Sequence, residues 1–209
     1  MATARFFEWF QLGALACWAL LGLTRALFLR AGGVRILVGD WQRTPWQMVA
    51  DTLGFACLLM WAYEVVAYGW PFGFHIGSVV LGRVVVGGLV AKTLGAVVVC
   101  LGLLLYAIAL HDLGASWRLG LDRSAPGPLV VKGIYSWTRH PIYLGFDFMF
   151  VGTFLVLGHL IFLLLALVMA LWLHAIMSRE ERFLTELYGD AYRDYSRRVG
   201  RYRFGQRHQ

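Results

Sequence analysis

Long blocks of apolar residues dominate the chain, and short polar segments, mostly basic, separate them. A bilayer core about 30 Å thick needs roughly 20 apolar residues for each helical crossing. The pattern predicts spans at residues 6–29, 52–70 and 93–110. The next apolar block, residues 143–176, is too long for one ordinary crossing. Gly158 and His159 lie near its middle and are predicted to form the turn between a fourth and a fifth span.

Residues 78–91 are also apolar, but the segment is short and rich in Gly and Val. It is predicted either to form a re-entrant or interfacial piece or to extend the third span. The predicted fold is therefore all-α. It is one multi-pass transmembrane bundle over residues 1–209 with about five spans, of which the last two form a helical hairpin.

Composition supports this fold class, because 59% of the residues are hydrophobic and only 15% are charged. Soluble domains carry about 25% charged residues. The net charge is +7, but acidic residues interleave the basic tail, which argues against nucleic-acid binding. Cys17, Cys57 and Cys100 each lie in an apolar run without metal-ligand spacing, so no metal site is predicted.

Basic residues follow the first, third and fifth predicted spans. An odd number of crossings places these three groups on one side of the bilayer, and the positive-inside rule makes that side cytoplasmic. We therefore expect an integral protein of a bacterial inner membrane whose C-terminus faces the cytoplasm. The lipid bilayer is its expected partner, and the sequence does not predict an oligomeric state.

Two polar segments flank the predicted hairpin, at residues 114–145 and 179–195. A hairpin brings its two ends together, so Arg139, His140 and Tyr143 are expected beside Glu180 and Glu181. Taken singly, each of these residues has an ordinary explanation as a helix start, a snorkelling cation or an interfacial aromatic residue. Their joint order and spacing favour a mixed-charge site at the membrane boundary.

The order of these residues is similar to that of a known family. The run Gly-Ile-Tyr-Ser-Trp-Thr-Arg-His-Pro-Ile-Tyr-Leu-Gly precedes Glu-Glu-Arg-Phe-Leu-x-x-x-Tyr-Gly-x-x-Tyr-x-x-Tyr by some 35 residues. This pair of motifs resembles the isoprenylcysteine carboxyl methyltransferase family, and the related phospholipid N-methyltransferases share it. The resemblance covers about residues 113–204, while the first two spans carry none. It divides the chain into variable spans (1–112) and a cofactor-binding catalytic half (113–204).

The resemblance implies S-adenosylmethionine as the cofactor, bound on the cytoplasmic side. By motif, the residues expected around it are Gly127, Pro128, Leu129, Val130, Tyr135, Arg139, His140, Pro141 and Tyr143. Glu180 or Glu181 would bind the cofactor's ammonium or ribose. The sequence has no G-x-G-x-x-G element of the dinucleotide-binding kind, and the family does not use one. The residues expected near the reaction are Arg118, His140, Glu180, Glu181 and His174.

The sequence departs from the family before the Glu pair, where the eukaryotic isoprenylcysteine enzymes carry an arginine linked to substrate. His174 is the only polar residue at that depth, either catalytic or hydrogen-bonded inside the bundle. The expected acceptor is apolar or lipid-linked: a prenyl-cysteine-like carboxylate, a phospholipid amine or a small thiol. An NADPH-dependent enzyme like the membrane sterol reductases, or a non-catalytic membrane subunit, is the alternative from another class.

The tail carries an apolar pattern of its own. Apolar and aromatic residues recur at steps of three and four, which predicts an amphipathic helix on the membrane or on the loop before span four. The residues of this stripe are Leu184, Leu187, Tyr188, Tyr192 and Tyr195. Residues after Ser196 are predicted to be dispensable for cofactor binding.

Overall fold

A computed structural model describes residues 2–33, 44–70, 74–76, 81–116 and 127–202. Six α-helices make up most of this structure. They are α1 (Ala2–Ala31), α2 (Pro45–Gly69), α3 (Leu89–Leu113), α4 (Pro141–Leu157), α5 (Leu160–Tyr188) and α6 (Asp190–Arg198). Short 3₁₀ turns at Gly114–Ser116 and Gly133–Ser136 begin and end the segment between α3 and α4.

Four of these helices, α1, α2, α3 and α5, are long and apolar enough to cross a membrane. The fifth apolar helix, α4, has 17 residues, which corresponds to about 25 Å of helix. The prediction of an all-α, multi-pass bundle is confirmed. The hairpin is confirmed as well, because α4 ends at Leu157 and α5 begins at Leu160. Gly158 makes the turn in a left-handed conformation with φ 76°.

The apolar segment before the third span does not form a crossing of its own in its described part. Residues 81–88 run in an irregular path beside the α4–α5 turn, where Val85 N–H donates to the Gly158 carbonyl at 2.8 Å. In return, Leu160 N–H donates to the Arg83 carbonyl at 2.9 Å. Helix α3 begins at Leu89, so the last residues of the segment extend the third span. Residues 77–80 lie outside the described residues.

Glycines bring α3 and α4 into backbone contact. Gly95 and Gly102 on α3 face Gly152 and Gly145 on α4, respectively. A Cβ on Gly102 would lie 2.8 Å from the Gly145 carbonyl oxygen, and one on Gly95 would lie 2.8 Å from the Gly152 carbonyl oxygen. Small residues allow such close approach between membrane helices. The seven-residue spacing on both helices produces two matched contacts along one antiparallel interface.

The core lies where α2, α4 and α5 meet. Trp61 of α2 packs edge-to-face on Phe150 of α4, with ring centroids 5.0 Å apart. Phe162 and Met169 of α5 are almost fully buried in the same cluster. Helix α1 lies on the outside of this core, and Phe28 near its C-terminal end is 70% exposed. That exposure is expected of a helix whose outer face contacts lipid.

The predicted amphipathic helix of the tail exists, but in two pieces. Helix α5 continues without interruption to Tyr188, and Gly189, with φ 57°, breaks the chain before α6. Tyr192 and Tyr195 of α6 are 2% and 4% exposed. They pack against Leu129, in the segment before α4. These contacts are with the loop before α4, one of the two predicted resting places.

Candidate active site

A polar cluster lies where the N-terminus of α4 meets the C-terminal third of α5. His140 is the N-cap residue of α4, and Pro141 follows it as the first helical residue. Proline suits this position because its missing N–H has no helical partner to lose. His140 Nε2 lies 2.9 Å from Glu181 Oε1. The hairpin thus brings together the residues that sequence reasoning expected to meet, while their roles stay a prediction.

Glu181 is the centre of the cluster, and several partners occupy both of its oxygens. Arg139 Nη2 lies 3.3 Å from Oε1. Arg201 binds from the other side with two donors, Nε to Oε1 at 3.0 Å and Nη2 to Oε2 at 2.5 Å. This hydrogen bond raises the pKa of the Arg201 guanidinium above its ordinary value. A forked pair of this kind is geometrically specific and holds the carboxylate in place.

The neighbouring Glu180 is less satisfied. Its Oε2 is buried and has no hydrogen-bond partner among the described residues. His140 Nδ1 is 3.8 Å from that oxygen, which is too long for a hydrogen bond. Buried carboxylate oxygens are costly to leave unpaired. Glu180 is therefore the member of the pair with an acceptor atom available to a ligand.

The segment before α4 is tied to the tail by tyrosines. The Tyr195 hydroxyl donates to the Tyr135 carbonyl at 2.6 Å, and the Tyr188 hydroxyl donates to the Gly127 carbonyl at 2.5 Å. Burial, followed by the nearby Glu180 charge, raises the pKa of the Tyr135 phenol. Among the other residues predicted here, Pro128 is exposed and Val130 is half-buried. The described part of this segment is therefore held against α6 and the end of α5.

Asp112, at the end of α3, fixes the start of the second 3₁₀ turn. Its Oδ2 accepts the Ile134 N–H at 2.8 Å. Gly133 sits in the left-handed region with φ 61°, close against this carboxylate. The contact holds the chain that leads to Tyr135 and His140. Sequence reasoning did not find Asp112, because its partner is a backbone amide 22 residues further along the chain.

Arg201 is the most important residue that sequence reasoning missed. Its carbonyl accepts the Thr138 hydroxyl at 2.7 Å, and the neighbouring Gly200 carbonyl accepts the Arg139 N–H at 3.1 Å. The last described residues are thus part of the cluster. The prediction that residues after Ser196 are dispensable does not fit these contacts and is corrected. The basic tail offered a signal, but nothing local distinguishes Arg201 from its neighbours.

His174 lies on the same face of α5 as Glu181, about two helical turns before it. Its Nδ1 lies 2.8 Å from the Tyr202 hydroxyl, and its Nε2 lies 3.2 Å from Arg201 Nη1. His174 is therefore linked to Glu181 through Arg201. Arg118, which was also expected near the reaction, lies outside the described residues.

Arg179 precedes the Glu pair but turns to a different partner. Its Nη1 donates to Asp51 Oδ2 at 2.9 Å, and Trp172 Nε1 donates to Asp51 Oδ1 at 3.2 Å. These contacts tie α5 to the start of α2. They also border an adjacent cavity of about 440 Å³ that Phe55 and Ile176 line on its apolar side.

The bundle and this cluster together define a multi-pass helical membrane protein with a polar site at one end of a transmembrane hairpin. Residues 90–191 match the family described as phospholipid methyltransferase. This half of the chain is thus similar to integral membrane methyltransferases, a class that includes the isoprenylcysteine carboxyl methyltransferases.

Individual relatives match over parts of their length. The protein-S-isoprenylcysteine O-methyltransferase of Saccharomyces cerevisiae is 34% identical over 110 residues, which are 51% of this chain and 46% of the yeast protein. Methanethiol S-methyltransferase 1 of Bradyrhizobium diazoefficiens is 42% identical over 67 residues, which are 32% of this chain and 22% of that protein. The chain thus spans less than half the length of these curated relatives.

Among solved structures, the eukaryotic intramembrane Ras methyltransferase (isoprenylcysteine carboxyl methyltransferase) is similar with a TM-score of 0.45. The two are 21% identical in sequence, and the match covers 77% of this chain and 53% of that one.

Proposed function

We propose that this protein is a membrane methyltransferase that uses S-adenosylmethionine and methylates an apolar or lipid-linked acceptor. One observation carries the proposal: a buried Glu180 oxygen without a hydrogen-bond partner among the described residues lies beside the His140–Glu181 pair. The family relationship of residues 90–191 supports the same reaction class. The division of the chain into variable spans (1–112) and a catalytic half (113–204) is part of the proposal.

The residues of the cluster fit the charges of this cofactor, which has an ammonium, a carboxylate and a sulfonium. Glu180 has the vacant acceptor, so we assign to it the ammonium or a ribose hydroxyl. Arg139 Nε is buried without a hydrogen-bond partner among the described residues and suits the carboxylate. The faces of Tyr135 and Tyr143 suit a cation. Glu181, already occupied by His140 and two arginines, acts by positioning these groups.

The cofactor, when bound, supplies an electrophilic methyl carbon. The protein's contribution is positional: it holds donor and acceptor in line and keeps water away from the carbon. We assign the exclusion of water to the segment before α4, which Tyr188 and Tyr195 hold in place. We further propose that this end of the bundle faces the cytoplasm, since basic residues follow α1, α3 and α5 in the sequence and the positive-inside rule favours that side.

Titration calorimetry with S-adenosylhomocysteine tests the proposal directly. His140→Ala and Glu180→Gln are expected to lose about 1.5–3 kcal/mol of binding free energy, roughly ten- to a hundredfold in affinity. Asp190→Asn is the matched control, because the Asp190 side chain is 88% exposed in a surface pair. His174→Ala should keep the cofactor affinity and change turnover instead.

The same measurement identifies the alternatives. Binding of NADPH in place of S-adenosylhomocysteine would assign the chain to the reductase-like class, and binding of neither ligand would favour a non-catalytic subunit. Unchanged S-adenosylhomocysteine affinity in both His140→Ala and the Glu180→Gln/Glu181→Gln double variant would place the cofactor elsewhere and remove the main support for this function.

A further inference from the structure

Asp147 is a carboxylate in the middle of the short transmembrane helix α4. The residue is half-buried, and its Oδ1 is buried with no hydrogen-bond partner within the described part of the chain. An ionisable group inside a membrane span is costly unless it pairs or lines a wet cavity. Asp147 differs in this from Asp51, whose two oxygens are held by Arg179 and Trp172. A structural role does not account for the unpaired oxygen.

The register of the hairpin places Asp147 at the level of His174. His140 contacts Glu181 at 2.9 Å, and α4 and α5 run antiparallel from there. Seven residues make almost two full helical turns, so Asp147 lies on the His140 face of α4, about 10 Å deeper. His174 lies seven residues before Glu181 and reaches the same depth on α5.

Tyr202 lies beside His174 at this level. Its hydroxyl lies 2.8 Å from His174 Nδ1. Burial, followed by the charge of Asp147, raises the pKa of the Tyr202 phenol, so the carboxylate is within electrostatic range of that hydroxyl. Arg201 links this group to Glu181, because its Nη1 lies 3.2 Å from His174 Nε2.

Beyond this level the same two faces become apolar and open to lipid. Val151 follows Asp147 by one turn on α4 and is 46% exposed, while Leu167 and Leu171 precede His174 on α5 and are 55% and 74% exposed. The hairpin thus presents three successive layers: the charged cluster, the Asp147–His174 layer, and a lipid-facing apolar layer. An acceptor with a hydrocarbon chain can lie across all three with its head group beside Asp147.

We propose that Asp147 is the acceptor-binding residue of this methyltransferase, and that its carboxylate selects a lipid amine as the methyl acceptor; this inference rests on the function proposed above. A carboxylate acceptor is already anionic at neutral pH, gains nothing from a second carboxylate, and is repelled by it. An alkylammonium forms an ion pair with Asp147, which is strong where water is scarce.

The chemistry of the step favours the amine over a thiol as well. The alkylammonium gives a proton to the Asp147 carboxylate, which leaves a neutral amine with a free electron pair. In apolar surroundings this transfer removes two opposite charges, whereas a proton from a thiol would only move one negative charge from oxygen to sulfur. The nitrogen electron pair then forms a bond to the methyl carbon. At the same time the carbon–sulfur bond breaks, and the electron pair of that bond stays on sulfur. The proton held by Asp147 leaves to water past Tyr202, which is 41% exposed.

Four probes with the same chain test this selection: dodecylamine, dodecanethiol, dodecanoate and neutral dodecanol. Each is titrated into the detergent-solubilised full-length protein, with S-adenosylhomocysteine present at saturation. We expect the wild-type protein to bind dodecylamine most tightly. Asp147→Asn should weaken dodecylamine binding by about tenfold or more, as for a lost charge-assisted contact, and should leave dodecanol unaffected. Asp147→Glu keeps the charge and should retain the preference for the amine.

Two results would overturn the inference: dodecylamine affinity in Asp147→Asn equal to that of the wild type, or tighter wild-type binding of dodecanoate or dodecanethiol than of the amine. Unchanged S-adenosylhomocysteine affinity in Asp147→Asn shows that the variant is folded. Failure of the wild-type protein to bind S-adenosylhomocysteine at all would instead refute the proposed function. The two failures are therefore distinguishable.

Discussion

Helix α4 has two interfaces of opposite character. Towards α3 it presents Gly145 and Gly152, and the backbones approach so closely that an added Cβ would come within 3.0 Å of a carbonyl oxygen. Towards α5 it presents His140, which contacts Glu181, and about two turns further along Asp147, whose Oδ1 has no hydrogen-bond partner among the described residues. One interface leaves no room between the helices, and the other surrounds polar atoms that lack partners in the described structure.

The two faces of this 17-residue helix therefore differ in role. One face packs against α3, and the other presents polar side chains towards α5. Packing against α3 fixes the position and rotation of α4, because backbone contact tolerates little movement. The side chains on the opposite face can then be held for a ligand, which requires a rigid supporting element. Variants on the two faces should accordingly fail in different ways: loss of folding on one, and loss of binding on the other.

The largest effect is expected at the glycine interface. Gly102→Leu places a side chain where even a Cβ would meet the Gly145 carbonyl oxygen at 2.8 Å. Overpacking usually costs about 1–3 kcal/mol, and we expect more than about 3 here, because the backbone itself blocks the site. Thermal unfolding in detergent measures the loss.

Gly13→Leu on α1 is the control for this variant, since a Cβ at Gly13 meets nothing within 4 Å. It adds the same side chain to a membrane helix and should change stability little. Equal destabilisation by the two variants would show that the α3–α4 contact has no special role.

A smaller effect is expected at the charged interface when the last residues are removed. A chain that ends at Ser196 loses Arg201, which holds Glu181 with two donors, and the carbonyl that Thr138 binds. We expect S-adenosylhomocysteine affinity to fall by about ten- to a hundredfold, because a charge-assisted pair worth roughly 1.5–3 kcal/mol is lost. Calorimetry on the truncated protein measures it.

A chain that ends at Tyr202 is the matched control and should bind normally, since it keeps every contact described for the cluster. Arg201→Lys keeps the charge but loses the fork, and an intermediate affinity is expected. Wild-type affinity in the chain that ends at Ser196 would mean that Arg201 does not organise the site.

The smallest effect is expected from single cysteine substitutions, which test only which helix ends lie on the same side of the membrane. Single cysteines are introduced at Lys132, Asp190 and Val84 in a background that lacks Cys17, Cys57 and Cys100. Lys132 and Asp190 are exposed near the charged interface, while Val84 is 63% exposed beside the turn at the other end of α4. A membrane-impermeant thiol reagent should label the first two from one face, predicted to be cytoplasmic, and the third from the opposite face. Labelling of positions 132 and 190 from different faces would break the hairpin arrangement.

Much of the architecture is local in origin and therefore visible in the sequence. Apolar block lengths are enough to predict the spans, and a glycine at the middle of residues 143–176 predicts the turn, which lies at Gly158. The proximity of His140 and Glu181 could also be predicted, because the two ends of a tight helical hairpin lie side by side. The tail helix was also predictable from its period, although Gly189 divides it. Residue type, spacing and helical period are sufficient for such features.

Other features depend on contacts that no local pattern encodes. Sequence alone left open which glutamate has a free oxygen, and the structure distinguishes them because Arg201, 20 residues further along, occupies Glu181. The glycines of α3 and α4 form a matched interface only when two separate helices meet in one register. In the sequence, Asp147 is an isolated acidic residue in an apolar span. Only the folded hairpin brings it to the level of His174 and Tyr202. Local sequence determines the elements and their order, whereas the satisfaction of each polar group depends on partners that only tertiary packing brings within hydrogen-bonding distance.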